Sequence, residues 1–188
     1  MDAAEVRRQL TKDALYPYKK LFPQVHESVF IAPGAKIIGD VKIEEHSTVW
    51  YNTVVRGDVH YINIGRFTNI QDCSMLHVTN GVYPLNIGDY VTVGHSVKLH
   101  GCTIKNLCLI GIGSIVLDGA IVKEKSIVAA GAVVVPNFVV PSGKMAAGIP
   151  AKVIRDLNGK ELNEFEKMAI RYKKYGEESL NSLSELIK

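Results

Sequence analysis

An aliphatic side chain returns every six residues along most of the middle of this chain. The series runs Ile31, Ile37, Ile43, Val49, Val55, and resumes after a three-residue insertion at Ile64, Ile70 and Leu76. A second insertion precedes Ile87, Val93 and Leu99. One five-residue step reaches Ile104, and the count continues through Ile110, Val116, Val122, Val128, Val134 and Val140. The positions between are rich in Gly, Ala, Ser, Asp and Asn, which tolerate tight turns. A fixed hexapeptide period is the signature of a parallel β-helix, an all-β solenoid. Each hexapeptide supplies a short strand and a corner, and three close one triangular coil. The eighteen rungs therefore predict about six coils with the aliphatic side chains stacked inside. Helical periods of 3.5 or 3.6 are absent, and a β-sandwich of alternating strands is the weaker alternative. Handedness does not follow from the spacing.

The lattice also sorts the polar residues. Arg56, His77 and His100 each follow a rung residue, Val55, Leu76 and Leu99, and those rungs are one coil apart. The three side chains should therefore stack on one edge, about 4.8 Å apart, close enough for two imidazoles to share an ion. Gln71 follows Ile70, and His95 lies two residues after Val93, so both belong to a neighbouring edge. Three histidines can make a zinc-type site with an open fourth position. Because His95 is on a different edge from His77 and His100, the lattice suggests a site shared between prisms in a threefold assembly.

Composition narrows the function classes. The 188 residues are 47% hydrophobic with a formal net charge of +3, which suits one domain plus appendages. No run of Lys or Arg points to nucleic acid or a membrane surface, and no stretch is long enough to span a bilayer. A signal pattern is missing at the N-terminus, so the expected location is cytoplasmic. Cys73, Cys102 and Cys108 lack paired spacing and imply no disulfide framework. Cys102 lies two residues from His100 and could be a fourth ligand, although a small buried hydrophobe is the ordinary role of such a residue. His26, His46 and His60 fall off the His77/His100 edge and read as surface residues. Trp50, beside the inward Val49, is expected to pack at an edge or interface.

The expected division is an N-terminal extension and cap over residues 1–30, the β-helix over 31–155 and a helical segment over 156–188. Solenoid ends must be covered, and Leu10, Leu15, Tyr18, Leu21 and Phe22 are available to do so. Asn158 with Glu161 forms a capping box, followed by an apolar face of Leu162, Phe165, Ala169 and Tyr172. Gly176 should break that helix, leaving a second segment carrying Leu180, Leu183 and Ile187. The helix is expected to lie along the side of the prism.

The stretches VVRGDV, NIQDCSMLH, VGHSVKLHGC, IGIGSIVLDGA and AAGIPAKVI resemble the gamma-class carbonic anhydrases and their short bacterial relatives. The resemblance spans nearly the whole chain and implies a left-handed β-helix, a homotrimer, and a metal, Zn²⁺ or alternatively Fe²⁺ or Co²⁺, as cofactor. It implies that His77 and His100 of one subunit and His95 of its neighbour are the metal ligands. Arg56 and Asp58 match an arginine and aspartate that pair at the subunit interface, and Gln71 matches the glutamine that orients metal-bound solvent. Tyr172 sits where short members place a helix tyrosine near the active site. The implied reaction is reversible hydration of carbon dioxide to bicarbonate by a metal-activated hydroxide.

The chain departs from the pattern in one respect. The best-studied type uses glutamates near the metal for proton transfer, whereas Val59 follows Asp58, Asn80 stands three after His77, and NGVYPLN replaces an acidic loop. The proton shuttle is therefore unassigned. Two rival functions remain: a non-catalytic metal-binding or assembly trimer of the same fold, and a coenzyme A-dependent hexapeptide acyltransferase. The acyltransferase chemistry needs one general-base histidine rather than three on this lattice.

Overall fold

The computed structural model describes residues 2–186 and is a parallel β-solenoid of about seven turns with a C-terminal helix. All eighteen aliphatic rung residues are buried. They form three ladders, in which each residue stacks on its equivalent one coil away. Ile37, Val55, Leu76, Leu99, Val116 and Val134 make one. Ile31, Val49, Ile70, Val93, Ile110 and Val128 make the second. Ile43, Ile64, Ile87, Ile104, Val122 and Val140 make the third. Burying an Ile, Leu or Val is worth roughly 1.5–3 kcal/mol each, so this stack is the main stabilising element.

Winding starts earlier than the rungs from Ile31 predict. Leu15–Tyr16 and Gln24–Val25 pair in parallel with Lys36–Ile43, which adds a turn ahead of the regular repeat. Helix α1 (Ala3–Ala14) precedes them, opened by a capping box of Asp2 and Glu5. Its Val6 packs with Phe30, Ala32 and Leu180 over the first coil.

At the far end the expected capping box is present. The Asn158 side chain accepts from the Glu161 amide at 3.0 Å, and the Glu161 carboxylate accepts from the Asn158 amide at 2.9 Å. It opens the single turn α2 (Gly159–Leu162), followed by α3 (Phe165–Leu186). Phe165 and Ala169 are buried as the apolar face requires, but Leu162 on α2 is exposed. Gly176 does not break the helix: α3 runs through it without interruption. A Cβ at that position would lie 2.9 Å from Thr48 Cγ2 and 3.2 Å from Phe30 Cβ. Close packing onto the sheet outweighs the helix cost of glycine, about 1 kcal/mol. Leu180 is buried and Leu183 packs beside it; Ile187 lies outside the described residues.

Cys102 and Cys108 belong to the core, and burial pushes both thiols up, Cys108 to about 12. Cys102 is therefore a packed hydrophobe rather than a ligand. Among the described residues, no helix is long and apolar enough to cross a membrane.

Candidate metal centre

His77 ends the strand Met75–His77, and His100 ends Lys98–His100; the two are direct partners in the parallel ladder. Because Leu76 and Leu99 point inward, each histidine turns outward on the same edge. Their rings meet with His77 Nδ1 3.1 Å from His100 Nε2. Each ring's other nitrogen is held by a carboxylate. His77 Nε2 lies 3.0 Å from Asp58 Oδ1, and His100 Nδ1 lies 2.6 Å from Asp118 Oδ1. An ionised carboxylate only accepts, so those outer nitrogens carry the protons. The facing nitrogens are then both lone-pair donors.

Two lone pairs 3.1 Å apart repel unless something positive lies between them. A tetrahedral zinc ion with bonds of 2.0–2.1 Å sets its nitrogens about 3.3 Å apart. The pair therefore fits two of the ligands of such an ion. Carboxylates on the outer nitrogens are the usual means of fixing the tautomer of a metal-ligating imidazole.

Electrostatics agree with a neutral His77. Burial lowers the His77 pKa; the Asp58 hydrogen bond pulls the other way, but the Arg56 and His100 charges add to the depression. Burial pushes Asp58 up, yet hydrogen bonds from Arg56 and His77 outweigh it and hold its carboxyl below the usual range. Arg56 donates to Asp58 within one copy, so the two residues expected to pair do so in the same chain.

His95 is elsewhere. It follows the strand Thr92–Val93 on another edge, where its Nδ1 lies 2.7 Å from Asp72 Oδ2. Among the described residues, no three His, Cys, Asp or Glu side chains of one copy converge as a metal-binding group. His95 instead lines a groove of about 540 Å³ with Trp50, Asp72, Tyr172, Tyr175 and Glu178. Tyr172 thus sits with His95 rather than with the His77/His100 pair. Burial, then the Asp72 charge and Tyr175, raise its phenol pKa. Trp50 stacks edge-on against both Phe30 and Tyr172, which fixes the helix against the coil. Gln71 is almost fully buried and donates to Asn69 Oδ1 at 3.0 Å. Among the described residues it makes no hydrogen bond to a histidine.

Asp72 and Asp118 were not singled out by the sequence. Asp72 was within reach of the lattice, since it lies two residues after Ile70 as His95 lies two after Val93, one coil on. Asp118 is one residue out of step with His100 and gave no such signal.

Comparison with known proteins bears on this geometry. Residues 22–57 match the family model described as bacterial transferase hexapeptide (six repeats). The carbonic anhydrase of Geobacillus kaustophilus (strain HTA426) is 47% identical over 163 residues, 87% of this chain and 89% of that protein. The chain belongs to the gamma-class carbonic anhydrase family. Protein YrdA of Escherichia coli (strain K12) is also 47% identical, over 90% of this chain and 95% of that one. A crystal structure of a hexapeptide transferase family protein from Anaplasma phagocytophilum superposes with a TM-score of 0.85 at 41% identity. It covers 88% of this chain and 98% of its own.

Proposed function

We propose that this protein catalyses the reversible hydration of carbon dioxide to bicarbonate as a homotrimer in the cytoplasm. A divalent ion, Zn²⁺ or alternatively Fe²⁺ or Co²⁺, is held by His77 and His100 of one copy and His95 of a neighbouring copy. The observation that carries this reading is the facing pair His77 Nδ1 and His100 Nε2 at 3.1 Å, each ring anchored behind by a carboxylate. The ion supplies Lewis acidity, lowering the pKa of water to roughly 7 so that hydroxide is available near neutrality.

The remaining steps belong to the chain's own groups. Asp58, Asp118 and Asp72 each hold one ring nitrogen of the three imidazoles and so fix their orientation. Gln71, held by Asn69, offers its amide to aim the reacting oxygen, and Arg56 balances negative charge on the bicarbonate side. Tyr172 lines the groove beside His95. The close relationship to a protein named carbonic anhydrase supports the reaction class.

The test is stopped-flow carbon dioxide hydration on oxygen-free protein reconstituted with zinc, cobalt or iron. Activity should track bound metal and vanish in His95→Ala and in His100→Ala. Unfolding and refolding the two dead variants together should restore part of it, because a mixed trimer regains one intact site. No recovery on mixing would sink the shared site. Tight metal binding without hydration would leave a non-catalytic metal-binding trimer.

A further inference from the structure

The segment between His77 and Leu85 occupies the place where the family resemblance leads one to expect an acidic loop. It carries no carboxylate, yet it is tied closely to the site. Thr79 Oγ1 donates to Asp118 Oδ2 at 2.9 Å, a contact spanning 39 residues of sequence. The other oxygen of that same carboxylate holds His100 Nδ1 at 2.6 Å. The loop closes on itself, with Thr79 N donating to Tyr83 O at 3.0 Å and Val82 N to Thr79 O at 3.1 Å. Gly81 N reaches back to Val59 O at 3.3 Å. Tyr83 lies over two glycines of the following coils. A Cβ on Gly101 would come 2.7 Å from Tyr83 Cβ and 2.4 Å from Asp118 Oδ1, and one on Gly119 would come 3.0 Å from Tyr83 Cε1. The bare floor at Gly101 and Gly119 is what lets the loop descend onto Asp118.

We infer that the loop is a strap and that Thr79 is a positioning residue of the metal site, acting through Asp118 on His100. Resting on the metal-site reading above, this assigns a role to a segment that the missing acidic residues left without one. An Asp118 carboxylate held at one oxygen only can rotate about its Cβ–Cγ bond. The Thr79 hydroxyl fixes that rotation, so Oδ1 stays on Nδ1 and the His100 lone pair stays aimed at the ion. Tyr83 sets the height of the strap.

The experiment measures Zn²⁺ affinity by competition with a chromophoric chelator, and the visible absorption of the Co²⁺ form, on the intact oligomer. Wild type, Thr79→Val and Thr79→Ser are compared, with thermal midpoints of the metal-free proteins alongside. Thr79→Val should weaken Zn²⁺ binding roughly tenfold or more and perturb the Co²⁺ bands, as loss of outer support for a ligand does. Thr79→Ser keeps the hydroxyl and should stay within about twofold of wild type. Equal affinity for Thr79→Val and wild type would overturn the strap while leaving the metal site standing. A Thr79→Ser variant as impaired as Thr79→Val would reduce the residue to ordinary loop packing. Wild type that binds neither ion would fell the metal-site reading itself, and the strap with it.

Discussion

The solenoid has a regular half and an irregular half, and the histidines His77, His95 and His100 gather in the irregular one. From Leu109 to Val140 each strand pairs with the one eighteen residues on, Leu109 with Ile127, Ile115 with Val133, Ile121 with Val139. Earlier the steps vary: Val54 pairs with Met75, Met75 with Lys98, and Lys98 with Ile115. Asp58, His77, Thr79, His95 and His100 all fall where the spacing is uneven. The inward ladder is unbroken through both halves, so the insertions are accommodated entirely at the edges. A repeat whose core is satisfied by one residue in six can lengthen its corners at little cost. Those longer corners are where side chains can gather.

The comparison predicts that core and edge are separable, and the largest expected effect lies in the regular half. Ile110 is fully buried between Val93 and Val128. Ile110→Ala should cost about 2–5 kcal/mol of stability, from lost burial and the cavity left behind. Urea unfolding would read this, while metal affinity of the folded protein should match wild type. A parallel loss of affinity would show that the site feels strain transmitted along the whole prism.

Much of this division was legible in the sequence, because period is geometry. The eighteen aliphatic residues named by their spacing are all buried, and His77 and His100 stack on one edge because their rungs do. What escaped was whatever depends on distance rather than period. The bond from Thr79 to Asp118 joins residues 39 apart with no periodic relation. The winding of Leu15–Tyr16 was hidden by its position ahead of the regular series. Gly176 misled because propensity argued for a break while the close approach to Thr48 and Phe30 argued for glycine, and tertiary packing prevailed.

The next effect contrasts a carboxylate of the regular half with one of the irregular half. Asp118 supports a histidine of the facing pair, and Asp72 supports the separate one. Asp118→Asn and Asp72→Asn should each lower metal affinity roughly 10–100-fold, with unfolding midpoints close to wild type. If the site is shared between copies, the two losses should be of similar size, since both lie behind a ligand. An unchanged affinity in Asp72→Asn would detach His95 from the metal.

A smaller effect concerns the helix that ties the halves together. Leu157 and Phe165 pack on Ile127 in the regular half, and α3 then reaches the groove at His95 through Tyr172. Removing the cap with Asn158→Ala should cost about 1 kcal/mol in thermal or urea unfolding. Metal affinity should hold, because the three histidines and their carboxylates all belong to the coils. A fall in affinity would make the helix part of the site rather than its cover.

The smallest effect is electrostatic and sits at the same junction. Arg155 grips Glu161 through both carboxylate oxygens, at 2.8 and 2.7 Å, and the Asn158 amide adds a third hydrogen bond. These hold Glu161 down to about 2 from an ordinary value of 4.5. A carboxylate with a depressed folded pKa binds fewer protons folded than unfolded between those two values. Its contribution is therefore complete above pH 4.5 and drains away as pH falls toward 2. The pair is exposed, so the effect is a shallow slope rather than a collapse. Urea midpoints at pH 6, 4.5 and 3 should fall less steeply in Glu161→Gln than in wild type. Identical slopes would mean that solvent already screens the pair. The helix would then be held to the regular half by its apolar contacts alone.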